Sequence, residues 1–168
     1  MKKIIFVFAS AILLASCGES ETTEANDTTD VVEEVAPEPT KDEVMQDYLA
    51  EKGWDGNKLE SGMYVVIDEP GEGDARPTLN DEVTIFYKGY LLDGFQFDGT
   101  TETPATFPLF QLIEGWQIGI PQFGKGGKGK LIIPSDLAYG DRTNGDIPGG
   151  STLMFEIELI DWAPVQGM

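Results

Sequence analysis

The chain has 168 residues, with 30 acidic against 11 basic side chains, a formal net charge of −19, no histidine and one cysteine. This length allows one ordinary domain with some additional chain, and the composition excludes an intrachain disulfide, a Ser-His-Asp triad, a Cys-His pair and a histidine metal site. So acidic a chain is repelled by phosphate backbones, and we expect no nucleic-acid partner.

The first residues are typical of an export signal. Lys2 and Lys3 precede an apolar run over residues 4–15, which is shorter than the roughly 20 residues of a membrane-spanning helix and fits a secretory signal peptide. The run ends in LASC, which resembles the bacterial lipobox, a signal cleaved before a cysteine that then carries lipid. We predict a lipoprotein signal peptide over residues 1–17, lipidated at Cys17; an ordinary signal peptide is the alternative. Lipidation implies anchoring to a bacterial membrane in the cell envelope, facing the periplasm or the cell surface.

Residues 18–40 are rich in Asp and Glu and contain neither Lys nor Arg. Such a segment buries too little apolar surface to offset the entropy of ordering, and its like charges repel. We predict a disordered acidic tether that holds a domain away from the membrane.

A short amphipathic helix is predicted next. Thr40 and Glu43 have the spacing of a capping box, and Gly53 is a suitable end. Apolar residues recur at helical spacing within 41–52 at Val44, Met45, Tyr48 and Leu49. We assign residues 41–58 to this helix and a connector, with its apolar face packed on the following domain or on a second copy.

From residue 59 onward the pattern changes to β-strands, predicted over 63–67, 82–90, 130–133 and 152–162. The last of these alternates, with Leu153, Phe155, Ile157 and Leu159 on a buried face and Thr152, Met154, Glu156 and Glu158 on a face toward water.

One more helix is indicated between two of these strands. Leu112, Ile113, Trp116 and Ile120 have helical spacing, and Pro121 ends the pattern. We therefore predict an α+β fold, a twisted antiparallel β-sheet wrapped around one short α-helix, with the short N-terminal helix in addition.

Other motifs are weak. Gly124, Gly129 and Lys130 match phosphate-loop spacing, but Leu131 replaces the required Ser or Thr and a strand follows, which favours a glycine-rich turn. No window has the ligand set of an EF-hand, and no carboxylate pair stands out for glycoside hydrolysis. Aromatic residues are more informative, because they exceed the needs of one small core and indicate an aromatic pocket: Phe86, Tyr87, Phe97, Phe107, Trp116, Tyr139 and Phe155.

Several ordered blocks resemble the FKBP-type peptidyl-prolyl isomerases. They are residues 87–90 (YKGY), 93–98 (DGFQFD), 107–109 (FPL), 113–119 (IEGWQIG), 127–128 (GK), 133–134 (IP), 137–140 (LAYG), 147–148 (IP) and 153–156 (LMFE). The resemblance covers roughly 59–162, so we assign residues 59–168 to an FKBP-type isomerase domain. It implies a sheet of about five strands around one short helix, and neither a metal nor a cofactor.

The resemblance also implies a role for each matching residue. Trp116 is expected to form the floor of a proline pocket walled by Tyr87, Phe97, Ile113, Tyr139 and Phe155. The Ile113 N–H and the Tyr139 hydroxyl are expected to donate to substrate carbonyls, Asp98 to face the twisting amide, and Ile147 to close one side. The predicted catalytic residues are thus Tyr87, Phe97, Asp98 and Tyr139, and the predicted substrate-binding residues are Ile113, Trp116, Ile147 and Phe155.

Four positions depart from the family pattern. Phe110 replaces a frequent Gly, and Ala105 replaces a pocket aromatic that some members have. Asp146 makes the wall beside Ile147 more polar, and Gly149 replaces a second Pro, which is expected to loosen that loop.

The main hypothesis is therefore a membrane-anchored enzyme that isomerises X-Pro bonds in extracytoplasmic proteins, its partners being proline-containing unfolded or partly folded polypeptides. One alternative is a chaperone or scaffold that binds proline segments with little turnover. Another is a structural lipoprotein with a degenerate pocket, which the complete set of expected pocket residues disfavours.

Overall fold

The computed structural model describes residues 38–165. The predicted signal peptide over 1–17, its Cys17 and the predicted tether up to residue 37 lie outside the described residues. Within residues 38–165, no helix combines the length and the apolar character needed to cross a membrane.

The described chain is built on one antiparallel sheet of seven strands in the order β1-β2-β6-β7-β3-β4, with β5 also paired to β3. The longest pairing joins β3 and β7, from Asp81 opposite Pro164 to Leu91 opposite Leu153. The strands are β1 (Asn57–Lys58), β2 (Tyr64–Glu69), β3 (Asp81–Leu91), β4 (Gln96–Gly99), β5 (Ala105–Pro108), β6 (Lys128–Ile133) and β7 (Leu153–Pro164).

The four strands predicted from the sequence correspond to β2, β3, β6 and β7, so the α+β fold is confirmed. The family resemblance implied about five strands, and the structure has seven. The additional short strands have two to four residues each, too few for alternation to be read, and they are extended because longer neighbours pair with them. Strand β1 lies in the connector assigned to 41–58, so the sheet begins before residue 59.

The inner face of the sheet packs on the short helix α2 (Glu114–Gly119). Two glycines allow this close approach, because a Cβ on Gly115 would stand 2.4 Å from Ile133 Cγ2 and one on Gly119 would stand 2.7 Å from Leu131 Cδ1. Helix α2 ends at Gly119, and Pro121 lies within a following 3₁₀ turn, Ile120–Gln122. The main core therefore lies between α2 and the sheet.

Helix α1 (Lys41–Lys52) has the predicted capping box between Thr40 and Glu43, and it ends at Gly53, whose φ is +67°. A left-handed residue here favours glycine. The helix buries Met45, Tyr48 and Leu49 against the outer face of the sheet, where Tyr64, Val66, Ile132 and Met154 complete a second cluster. Its partner is thus the following domain.

One prediction about β7 is wrong. Met154 was expected to face water together with Thr152, Glu156 and Glu158, but it is only 5% exposed because α1 covers that part of the outer face. Beyond α1, Glu156 and Glu158 are partly exposed.

The glycine-rich segment 124–129 is a turn that leads into β6, as predicted. The Gly127 N–H donates to the Gly124 carbonyl over 2.9 Å, and the strand begins at Lys128. A phosphate loop would open a helix at this point. The lysines of this region instead form ion pairs with Asp161, Glu158 and Asp68 on neighbouring segments.

Candidate active site

An aromatic pocket of about 160 Å³ opens between α2, the inner face of the sheet and the loops around them. Strands β3, β4, β5 and β7 contribute one side of it, and the start of α2 and the loop after β6 contribute the other. The lining residues are Tyr87, Phe97, Asp98, Phe107, Leu112, Ile113, Trp116, Tyr139 and Phe155.

Trp116 on α2 is held by rings on three sides. Its ring meets those of Tyr87 and Phe155 edge to face, at centroid distances of 5.1 Å in both cases, and Phe107 lies 6.5 Å away. Edge-to-face pairs of this kind stabilise a fixed ring orientation. Trp116 is 4% exposed, and its indole N–H has no hydrogen-bond partner among the described residues. A rigid, water-poor pocket surface results.

Phe97 and Phe155 form another part of the wall, with their rings at 87° and their centroids 5.6 Å apart. They meet above Gly89 of β3, where a Cβ would stand 2.6 Å from Phe97 Cε2 and 2.8 Å from Phe155 Cε1. The absence of a side chain at Gly89 therefore allows both rings to lie where they line the pocket.

Tyr87 and Asp98 are joined across β3 and β4. The Tyr87 hydroxyl donates to Asp98 Oδ2 over 2.8 Å, and the Gly99 N–H donates to Asp98 Oδ1 over 2.8 Å. Burial, followed by this hydrogen bond and the Asp98 charge, raises the pKa of Tyr87 to about 12. The hydroxyl is thus protonated at neutral pH, and its hydrogen bond holds the carboxylate at the pocket wall.

Tyr139 lies at the mouth of the pocket and is 36% exposed. Burial of its ring raises the pKa of the hydroxyl, the nearby Asp98 charge raises it further, and a side-chain hydrogen bond with Asn144 opposes them. The loop that carries Tyr139 is closed by its own backbone, since the Gly140 N–H donates to Ser135 and the Gly150 N–H donates to Gly140, both over 2.8 Å. These bonds hold the backbone beside Tyr139 at the mouth of the pocket.

Ile113 precedes α2 as its N-terminal cap, with extended backbone angles (φ −58°, ψ 150°). Its carbonyl accepts from the Trp116 and Gln117 N–H groups, at 2.9 and 3.2 Å. Its own N–H has no acceptor among the described residues. Because Ile113 lines the pocket, this N–H is a backbone donor available to a ligand.

Seven of the eight predicted site residues line this pocket together, and Ile147 does not. Ile147 is 5% exposed and belongs to the main core, because its backbone pairs with Asn144 in a narrow turn. The sequence identified it by its place before Pro148, which does not indicate where its side chain lies.

Two lining residues were given no place in the pocket wall by the family resemblance: Leu112, and Phe107, which was named only among the aromatic residues that indicated a pocket. Ala105 and Phe107 lie two residues apart on β5 and so share a face of the strand. Phe107 is therefore an aromatic wall residue on the same face as Ala105, where some relatives have their ring. A reading of β5 as a strand would have identified Phe107.

The other departures from the family pattern lie outside the pocket lining. Phe110 is 42% exposed, and Asp146 is also exposed. Gly149 packs against backbone, since a Cβ there would stand 2.2 Å from the Asp141 carbonyl oxygen. The loop therefore closes tightly at Gly149, where we had expected it to be loosened.

The sequence profile of one family, described as FKBP-type peptidyl-prolyl cis-trans isomerase, matches residues 73–160. This chain belongs to that family. The matched region includes all nine residues that line the pocket. Within residues 38–165, no group of three or more Asp, Glu or Cys residues has an arrangement suited to a metal ion.

Curated relatives of this FKBP-type chain include the FKBP-type peptidyl-prolyl cis-trans isomerase FkpA of Buchnera aphidicola subsp. Schizaphis graminum. It is 45% identical over 107 residues, which are 62% of this chain and 42% of the relative. The corresponding protein of Escherichia coli K12 is 43% identical over 106 residues, 39% of its length. The chain thus spans about two fifths of the length of these relatives.

Solved structures agree with the fold. A crystal structure of FkpA from Escherichia coli superposes with a TM-score of 0.66 at 40% identity, covering 74% of this chain and 58% of that one. A peptidyl-prolyl cis-trans isomerase from Pseudomonas syringae pv. tomato superposes with a TM-score of 0.64 at 34% identity, and 98% of that chain is covered.

Proposed function

We propose that this chain is a peptidyl-prolyl cis-trans isomerase whose aromatic pocket binds the proline ring and accelerates rotation of the preceding peptide bond. The observation that carries the proposal is the placement of Trp116 between Tyr87 and Phe155. The same pocket is lined by Ile113, whose N–H has no acceptor within residues 38–165. Family membership and the names of the relatives support the same activity.

The reaction suits a chain without histidine or catalytic thiol. Rotation about a prolyl amide crosses a barrier of ~18–20 kcal/mol because twisting removes the amide resonance, and no covalent bond is made or broken. Water stabilises the planar, charge-separated form of the amide. A dry pocket removes that stabilisation and favours the less polar twisted form.

The polar groups of the pocket have complementary roles in this proposal. The Ile113 N–H and the Tyr139 hydroxyl donate to substrate carbonyls and hold the backbone on either side of the proline. Asp98, held by Tyr87 and Gly99, faces the amide as it twists. Contacts that are stronger in the twisted state than in the planar state lower the barrier to rotation. Each ~1.4 kcal/mol by which the barrier is lowered increases the rate tenfold.

The substrates proposed are proline-containing segments of unfolded or partly folded polypeptides. The pocket opens beside Tyr139, which is 36% exposed, and a chain segment is able to pass across this opening. Uncatalysed X-Pro isomerisation takes tens to hundreds of seconds, which is slow enough to limit the rate of folding. Such an enzyme therefore acts on folding steps that wait for a proline to isomerise.

A protease-coupled assay on a proline tetrapeptide tests the activity. We expect turnover from the wild type, and strongly reduced turnover from Asp98→Ala and Tyr139→Phe. Tyr90→Phe is the matched control, because Tyr90 packs beside the outer cluster under α1. A wild type that binds proline peptides without accelerating isomerisation would support the chaperone or scaffold function instead.

We further propose that the protein is attached to a membrane of the bacterial cell envelope through lipid on Cys17, and so acts on extracytoplasmic proteins. The support is the order of positive start, apolar run and Leu14-Ala15-Ser16-Cys17 in the sequence. Cells that express the full chain should incorporate radioactive fatty acid into it, and Cys17→Ala should abolish the label. Label retained in Cys17→Ala would contradict this anchor.

A further inference from the structure

Gln117 is a polar residue of α2 that does not line the pocket but contacts the backbone of its wall. Its side-chain Nε2 donates to the carbonyl of Leu112 over 2.7 Å and to that of Phe110 over 3.3 Å. Its backbone N–H donates to the carbonyl of Ile113 over 3.2 Å. Gln117 therefore holds the peptide units on both sides of Ile113.

The Leu112 carbonyl and the Ile113 N–H belong to the same planar peptide unit. Fixing the oxygen at one end of that plane fixes the direction in which the N–H points at the other end. A hydrogen bond accepted by the carbonyl also polarises the amide and strengthens its N–H as a donor. The contact made by Gln117 thus acts on the one backbone donor that Ile113 presents to the pocket.

The segment that carries this donor packs against the main core through Leu109, Leu112 and Ile113, but among the described residues its carbonyls accept few side-chain hydrogen bonds. It follows the 3₁₀ turn Leu109–Gln111, which is closed by a single bond of 3.2 Å from the Leu112 N–H to the Leu109 carbonyl. Among the described residues, no side chain other than Gln117 donates to the Phe110 or Leu112 carbonyl. Among the described residues, Gln117 is therefore the side chain that restrains the Leu112–Ile113 peptide by a hydrogen bond.

We propose that Gln117 is a positioning residue of the isomerase, which orients and strengthens the Ile113 N–H for the substrate carbonyl. This inference rests on the proposed function, since it assigns a role within the same reaction. It requires both the length and the donor of glutamine. Methionine has a similar length without a donor, and glutamate has an acceptor where the donor is needed.

The matched control is Gln122, which makes the same kind of contact away from the pocket. Its Nε2 donates to the Ile118 carbonyl over 3.3 Å at an exposed position. We expect Gln117→Met to lower kcat/KM about threefold to tenfold, the effect of one hydrogen bond. Gln117→Glu should have at least that effect, and Gln122→Met should leave kcat/KM within twofold of wild type.

A second readout separates positioning from loss of fold. In ¹H–¹⁵N spectra of the full chain, we expect Gln117→Met to shift the Ile113 amide resonance and to reduce its movement on titration with a proline tetrapeptide. Gln122→Met should change neither, and both variants should unfold at temperatures close to that of wild type.

The outcomes distinguish this inference from the proposed function. If the wild type is active and Gln117→Met matches it in kcat/KM and in the Ile113 resonance, the positioning role is refuted and the isomerase assignment stands. If the wild type neither turns over the tetrapeptide nor shows movement of the Ile113 resonance, both are refuted. A Gln117→Met variant that loses activity with an unchanged Ile113 response also refutes the positioning role.

Discussion

The ring of Phe97 lies against the bare Cα of Gly89, so closely that a Cβ at residue 89 would stand 2.6 Å from Phe97 Cε2. Phe97 in turn meets Phe155, which meets Trp116 at 5.1 Å. The absence of a side chain at Gly89 thus allows Phe97 and Phe155 to take these positions.

Replacing Gly89 with alanine should displace Phe97 and reduce isomerase activity by more than tenfold. We expect a loss of stability of about 1–3 kcal/mol, as for other overpacked sites. Gly56→Ala is the control, because its Cβ would meet Leu49 Cδ1 at 2.8 Å in the cluster on the outer face of the sheet. Thermal unfolding and tetrapeptide turnover should show similar destabilisation in both variants, with activity lost only in Gly89→Ala. Equal activity in both would contradict the role of Gly89.

Tyr87→Phe removes the donor to Asp98 while the ring that packs on Trp116 is retained. We expect kcat/KM to fall about threefold to tenfold, because one hydrogen bond that orients the carboxylate is lost. Asp98→Asn measured in parallel should give a similar loss, and the double variant should lose less than the sum of the two. Full additivity would indicate that the two residues act independently.

Tyr87 should also affect stability in alkaline solution. Its pKa is raised in the folded state from 10.0 to about 12, so between these values the unfolded chain binds fewer protons than the folded one. The raised pKa of Tyr87 therefore contributes to the stability of the folded state below pH 10, and this contribution is lost as the pH rises toward 12. Denaturant unfolding from pH 9 to 12 should show a smaller decline in Tyr87→Phe than in wild type, and an identical decline would contradict the shift.

Helix α1 should stabilise the domain without taking part in the reaction. Met45 is 2% exposed against the outer face of the sheet, and Met45→Ala should lower the free energy of unfolding by about 2–5 kcal/mol. Asp47→Ala, on the exposed side of α1, should change it by no more than about 0.5 kcal/mol. Both variants should retain wild-type kcat/KM while folded; a loss of activity in Met45→Ala would show that α1 influences the pocket.

The ionised carboxylate of Asp42 should stabilise the folded state, and this stabilisation should be lost in acid. Hydrogen bonds from Lys58 and then Tyr64 lower its pKa below 3.8 in the folded state, so the contribution is present above the unfolded value and is lost as the pH falls through the folded pKa. As the pH falls below about 4, Asp42→Asn should therefore lose less free energy of unfolding than the wild type loses. Asp47→Asn, which changes the same charge at an exposed position of α1, should follow the wild type in acid denaturation; a parallel curve for Asp42→Asn would contradict the prediction.

Local sequence patterns were sufficient to predict much of the secondary structure and the family of this protein. The capping box at Thr40 and the stop at Gly53 are relations between residues close in the chain, and both were confirmed. The alternation in β7 was confirmed on its buried face, but not at Met154 on the other face. The ordered blocks from 87 to 156 identified the family, because their residue types and spacing do not depend on knowing which side chains touch.

What the sequence left open depends on contacts between distant segments. Met154 looks like a water-facing residue until α1 is placed over it. Ile147 is buried in the same core cluster as Trp116 and Phe155 and is not among the residues that line the pocket.

The sequence by itself determined the two helices, the four long strands, the family and most of the residues that line the pocket, since these follow from local spacing and residue type. Only the tertiary structure decided which face of the sheet is covered, that Phe107 lines the pocket, and that Gln117 holds the peptide preceding Ile113. Those features arise where segments far apart in the chain pack together, and the shape of that packing is a property of the whole fold.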